Sequence, residues 1–216
     1  MIENNLRARI ITSFVLLTII ILIFLFNYFL LFCLIVFGCF SLIEFFNISK
    51  KIVKSNFYLF FFNCIFIIYV FIFCSLFFFF SNFEQLKIVL FIFLLGCISS
   101  DLGGYIFGKI FKGPKLTKIS PNKTISGSIG SILFTITTIS FLFFLITKNI
   151  SSSIIVLSIL NSIGCQIGDL LFSFLKRKAK LKNTGTFLPG HGGLLDRLDG
   201  IFLGIPLSFV ALALLS

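Results

Sequence analysis

The sequence predicts an all-α protein, a polytopic membrane helix bundle of about seven transmembrane helices with a cytoplasmic N-terminus. Three observations predict it. Of the 216 residues, 58% are hydrophobic and 12% charged, with a mean hydropathy of +1.16; a soluble chain of this size has no core able to hide that much apolar surface. Apolar runs close to the roughly 20 residues needed to cross a bilayer core of about 30 Å recur along the chain. Lys and Arg gather in alternate breaks between those runs, as they do in cytoplasmic loops.

The first run covers residues 10–26, behind Arg7 and Arg9. No small-x-small cleavage site follows it, so it is expected to be a permanent helix rather than a secretory signal. The second covers 28–47, with Asn27 alone as the break, which implies a very tight connection. The third, 57–80, is long for one span; splitting it, or a similar division, gives eight or nine helices with the parity unchanged. The remaining runs cover 87–109, 126–147, 152–175 and 199–215.

With the N-terminus inside, these spans leave only Lys87 and Lys148 outside; every other basic residue is cytoplasmic. The net charge of +11 thus sits on one face. Its simplest reading is topology plus attraction to anionic lipid, about 1 kcal/mol per basic residue near the surface, and no nucleic acid partner is expected. Residues 1–85 are expected to form an N-terminal set of transmembrane helices, and 86–216 a transmembrane region with cytoplasmic loops 109–125 and 176–198, where any chemistry must lie.

Cys33, Cys39, Cys64, Cys74, Cys97 and Cys165 all lie within apolar runs, without CxxC or Cys/His spacing, and read as small membrane-embedded residues. The 34 Phe and the absence of Trp reflect compositional bias and carry no function.

Acids are scarce, seven in all, and the four aspartates Asp101, Asp169, Asp196 and Asp199 lie in or beside the two basic loops. An ionised carboxylate in an apolar span costs from about 2.5 kcal/mol upward unless it is paired or faces water. Asp101 and Asp169 therefore read either as helix–helix ion pairs reaching toward the cytoplasm or as site residues. Asp101, Gly104 or Tyr105, and Gly108 share a helix face, with glycines admitting a close neighbour. Ser120-Pro121-x-Lys123-Thr124 offers two hydroxyls and an ammonium in a turn, a set suited to phosphate oxygens.

The second loop is more specific. Asp169, Ser173 and Lys176 fall at i, i+4 and i+7 on one face, and Arg177 and Lys182 follow. Then comes Pro189-Gly190-His191-Gly192-Gly193-x-x-Asp196-Arg197-x-Asp199. Glycines expose backbone N–H groups able to form an anion-binding concavity. His191 alone reads as a turn residue; between glycines in a Lys- and Asp-rich loop it becomes a ligand-contact candidate.

The run from Ser173-x-Leu175-Lys176-Arg177 through Lys182, Gly185 and Leu188-Pro189-x-His191-Gly192-Gly193-x-x-Asp196-Arg197-x-Asp199 resembles the phosphatidate cytidylyltransferase family, also called CDP-diglyceride synthetases. The earlier Asp101 and Ser120-Pro121-x-Lys123-Thr124 patterns look like it too, so the resemblance extends over most of the second half of the chain. It implies an all-helical membrane fold and transfer of CMP from CTP onto the phosphate of phosphatidate, releasing pyrophosphate. Asp169 and Asp196 match the metal-binding aspartates, with Mg²⁺ the expected ion and a second, monovalent cation admitted beside it; carboxylate and phosphate oxygens suit a hard cation. On this reading Asp169, Asp196, Lys123, Lys176 and Arg197 are catalytic. Ser120, Pro121, Thr124, Arg177, His191, Gly192, Gly193, Asp199 and Asp101 bind substrate.

The expected partners are CTP, phosphatidate and membrane lipid, with a homodimer admitted. The expected location is a bacterial inner membrane, the active site facing the cytoplasm. Three positions depart from the family by losing an acid: Phe172, Asn183 and Ser126. A polyprenol kinase or an archaeol-type cytidylyltransferase shares the CTP chemistry. An ion-coupled transporter would use Asp101 and Asp169 as intramembrane cation sites but leaves the Gly-rich, Asp-rich loop without a purpose.

Overall fold

A computed structural model describes residues 14, 15, 17–117, 120, 123–185 and 192–215. Six long helices span Asn27–Ile52 (α1), Asn56–Ser81 (α2), Glu84–Phe111 (α3), Ile125–Thr147 (α4), Ser152–Lys178 (α5) and Leu195–Leu215 (α6). All six are long and apolar enough to cross a membrane, and residues 17–25 are also helical. The bundle is all-helical, as expected. The long third run is one helix of 26 residues. The last helix begins at Leu195, four residues before the apolar run, so Asp196 lies in its first turn. A single extended residue, Phe26, separates the first helical stretch from α1. The remainder of the expected first span lies outside the described residues.

Contacts divide the chain into two units. The first comprises the chain up to Lys87 together with Leu175–Leu198. Here α1 and α2 run antiparallel. Asn27 Nδ2 donates to the Ser81 carbonyl at 3.4 Å, Phe45 stacks on Phe66 with centroids 3.7 Å apart, and the Ser49 hydroxyl donates to Asn63 Oδ1 at 2.7 Å. Apolar residues on the other face of α2, among them Phe57, Phe60, Phe61 and Phe71, are exposed. That is the pattern of a helix solvated by lipid, which lacks the penalty water would impose.

The second unit comprises Ile88–Phe174 and Asp199–Ser216. Small residues let its helices approach closely. A Cβ on Gly103 of α3 would sit 2.5 Å from the Gly130 carbonyl of α4, and one on Gly164 of α5 would sit 2.9 Å from Gly204 Cα of α6. Apolar attraction between helices is weak in lipid, so close packing and interhelical hydrogen bonds hold the bundle. Asn161, wholly buried, donates to Ser208 Oγ at 2.8 Å and to the Phe93 carbonyl at 3.3 Å.

Candidate functional site

In the second unit the loop before α4 is tied by short-range bonds. Lys115 and Thr124 form an isolated antiparallel bridge, Leu116 N–H donates to the Lys123 carbonyl at 2.8 Å, and Ile125 N–H donates to the Pro114 carbonyl at 3.0 Å. Gly113, at φ 115°, makes the turn that returns the chain. Thr124 then caps α4, its hydroxyl accepting from Gly127 N–H at 3.1 Å. Ser126 donates to the Lys112 carbonyl at 3.1 Å and so pins the loop by a neutral bond.

This arrangement directs Lys123 onto Asp169 of α5, Nζ to Oδ2 at 2.6 Å. The pair lines a cavity of about 210 Å³. Ser100, Asp101, Gly104 and Tyr105 contribute from α3, Thr124, Gly127, Ser128 and Ser131 from the start of α4 or its cap, and Gln166 from α5. Two carboxylates and one ammonium therefore share a cavity with an amide and several hydroxyls. Its inner wall is hydrogen-bonded throughout: Ser131 donates to the Ser100 carbonyl at 2.8 Å, Ser100 and Ser162 hydroxyls lie 3.1 Å apart, and Gln166 donates to Ser162 at 3.2 Å and accepts from Ser128. Such a wall can accept a polar ligand at membrane depth without stranding groups in hydrocarbon. Ser120 stands just before Lys123, and its carbonyl accepts from Lys123 N–H at 3.1 Å. Pro121 lies outside the described residues.

In the first unit α5 ends in a Schellman turn, Leu181 N–H bonding the Lys176 carbonyl at 2.8 Å and Lys180 N–H the Arg177 carbonyl at 3.0 Å, with Lys180 at φ 57°. Arg177 also reaches the Leu181 carbonyl at 3.4 Å. The turn leaves Lys176 Nζ 2.6 Å from Asp196 Oδ1. Asp196 Oδ2 accepts from Thr184 N–H at 2.9 Å and Gly193 N–H at 3.2 Å. The Gly193 amide, a candidate phosphate donor on sequence grounds, is here turned onto Asp196, and Gly192 takes φ 89°. Arg197, next in the helix, is exposed, and Asp199 Oδ1 accepts from Gly200 N–H at 3.0 Å in the second unit. His191 lies outside the described residues.

One residue of this cluster escaped the sequence reading. Glu44 of α1 is 5% exposed and accepts from Leu194 N–H, Leu195 N–H and the Thr184 hydroxyl. A signal existed: it is the one charge between Asn27 and Ser49, a run otherwise apolar or neutral, and isolated charge in a span demands a partner. The partner was 140 positions away, where local periodicity carries no information.

The expected Mg²⁺ can be tested against these donors. Among the described residues no three or more His, Cys, Asp or Glu side chains gather as a metal cage. Asp169 and Asp196 each already hold a cation, a lysine ammonium at 2.6 Å, through one carboxylate oxygen. That fits an ion bound by one or two carboxylates and completed by water and substrate phosphates, the usual manner of Mg²⁺.

Comparison with known proteins agrees with these motifs. The model of the cytidylyltransferase family matches residues 45–215. A protein named phosphatidate cytidylyltransferase from Staphylococcus epidermidis is 42% identical over 127 residues, covering 57% of this chain and 48% of that protein. Its namesake from Brucella melitensis is 41% identical over 113 residues, 52% of this chain and 42% of that protein. That of Mycobacterium leprae is 40% identical over 124 residues, 56% and 39%. The chain spans about half the length of the curated relatives it matches, or somewhat less.

Proposed function

The chain belongs to the cytidylyltransferase family, and from that premise we propose that it transfers CMP from CTP to phosphatidate, forming CDP-diacylglycerol and pyrophosphate at the cytoplasmic face of a bacterial inner membrane. The observation that carries the proposal is the pairing of Lys123 with Asp169 and of Lys176 with Asp196, each pair built from a motif of the family. The relatives' shared name supplies the substrate class.

The chemistry asks for little covalent help. A phosphate oxygen of phosphatidate attacks the α-phosphorus of CTP, and the bond from that phosphorus to the pyrophosphate oxygen breaks. The nucleophile is already an anion, so no strong base is required. The barrier lies in bringing two anions together in line and in stabilising the leaving pyrophosphate, tasks of positioning and electrostatics.

Lys123, Lys176, Arg177 and Arg197 supply positive charge for that purpose. Substrate phosphates compete with Asp169 and Asp196 for the two lysines, so each carboxylate holds its ammonium extended until the nucleotide arrives. The hydroxyls of Ser120 and Thr124, and the polar wall behind Asp101, supply neutral donors. Asp169 and Asp196 would hold Mg²⁺, which when bound offsets charge on the triphosphate. The diacyl chains stay in the bilayer throughout.

The deciding assay follows radiolabelled CTP and phosphatidate in membranes containing the protein, with and without Mg²⁺. Label is expected in CDP-diacylglycerol, with equimolar pyrophosphate. Release of CDP in place of pyrophosphate would identify a kinase and overturn the proposal.

A further inference from the structure

We infer that Glu44 is a positioning residue for Asp196, holding from α1 the first turn of the helix on which Asp196 stands. All the residues concerned belong to the first unit. The first N–H groups of a helix have no partner within it and are usually met by Ser, Thr, Asp or Asn at the cap. Gly193 and Leu194 precede α6, and neither side chain can cap. Glu44 replaces them: Oε1 accepts from Leu194 N–H and Oε2 from Leu195 N–H, each at 2.9 Å. A carboxylate facing a helix N-terminus is also favoured by the helix dipole.

The same carboxylate is coupled to Asp196 through Thr184. The Thr184 hydroxyl lies 2.6 Å from Glu44 Oε2 and 3.1 Å from Asp196 Oδ2. One hydroxyl carries one proton, and the shorter distance gives it to Glu44. Asp196 Oδ2 is then held by two backbone amides, Thr184 N–H and Gly193 N–H. Glu44 orients Thr184, and Thr184 presents its amide to Asp196.

Loop glycines provide the space. A Cβ on Gly185 would lie 2.5 Å from Glu44 Oε1; one on Gly193 would lie 2.5 Å from Glu44 Oε2 and collide with the Thr184 hydroxyl. Gly185, a position of the family pattern, and Gly193, read from sequence as a substrate-binding residue, are walls of the Glu44 seat.

The inference rests on the CMP-transfer reading for its kinetic arm but not for its structural one. Full-length protein in detergent micelles would be compared as wild type, Glu44→Gln and Thr184→Val. Hydrogen exchange is expected to quicken at least about tenfold in the peptide covering 192–198 of Glu44→Gln, and less in Thr184→Val, while α2 peptides stay unchanged. Unchanged exchange at 192–198 in both variants overturns the inference.

In the CMP-transfer assay Glu44→Gln is expected to lower kcat about tenfold at constant KM for phosphatidate. Placed on Asp196→Asn it should lower the residual rate no further, because its effect runs through Asp196. An equal tenfold loss in both backgrounds would mark a merely structural role and overturn it. Wild type without CMP transfer would sink the functional reading, and the exchange result would still decide the role of Glu44.

Discussion

Lys176 Nζ lies 2.6 Å from Asp196 Oδ1, and each of the two side chains is only 13% exposed. Lys123 and Asp169 lie equally close but are more open, at 31% and 19%. Exposed pairs are worth about 0–1 kcal/mol, whereas removing one partner of a buried pair costs up to about 3–5 kcal/mol. The two pairs therefore have different sensitivities to the loss of one member.

Lys176→Met is expected to cost both stability and turnover, because Asp196 is left with amide donors alone. CMP transfer should fall about 10²-fold, on the scale of losing one transition-state donor, and the melting temperature in detergent should drop by several degrees. Lys176→Arg keeps the charge but not the single-point geometry, and should recover stability more fully than rate. Equal recovery of both would show that charge alone is needed.

Lys123→Met should lower the melting temperature less than Lys176→Met does, since that pair is the more open of the two, while lowering kcat/KM for CTP about 10²-fold. A loss of melting temperature as large as that of Lys176→Met would contradict the contrast in exposure.

Chelation of divalent ions is expected to abolish CMP transfer, and added Mg²⁺ to restore it. Asp169→Asn and Asp196→Asn should each keep less than about one hundredth of the wild-type rate at ordinary Mg²⁺. Titration of Mg²⁺ against rate checks this: full activity of either variant removes that aspartate from the metal-ligand assignment.

Gly103→Leu should weaken the α3–α4 contact, because a Cβ there already meets the Gly130 carbonyl at 2.5 Å and Phe134 Cβ at 2.6 Å. Overpacking of this kind costs about 1–3 kcal/mol. Thermal unfolding in detergent reads the effect; an unchanged midpoint would mean that the two helices can separate without cost.

Restoring the missing family acids is expected to have opposite effects at two positions. Phe172 is 3% exposed and its ring lies 6.2 Å from that of Phe202, so Phe172→Glu buries a charge against apolar neighbours and should lower stability without raising activity. A Cβ on Gly192 would lie 3.4 Å from Asn183 Cγ and 3.2 Å from Asp196 Oδ2, which puts Asn183 beside that carboxylate. Asn183→Asp should therefore lower the Mg²⁺ concentration needed for half-maximal rate, read by the same titration.

Much of the site was legible because its motifs are local. Lys176 precedes the end of α5, and Lys123 and Thr124 stand at the start of α4, so spacing alone placed each near a helix end. The boundary of α6 was misjudged by four residues because hydropathy marks where lipid contact begins, while the helix begins where Glu44 accepts the first amides. Glycine exposes its amide, which marks Gly193 as a donor in the sequence; that this amide meets Asp196, three residues on, is visible only in the structure.

From sequence alone follow the membrane-helix architecture, the family's motifs and the clustering of aspartates beside basic loops, because hydropathy, charge and spacing are properties of neighbouring residues. Only the tertiary structure decided which lysine meets which aspartate, and that Glu44 closes over the start of the last helix. Those choices depend on contacts between residues 20, 46 and 140 positions apart. At such separations partners are selected by packing of whole helices, and a lone glutamate in an apolar run gives no sign of which amide it will meet.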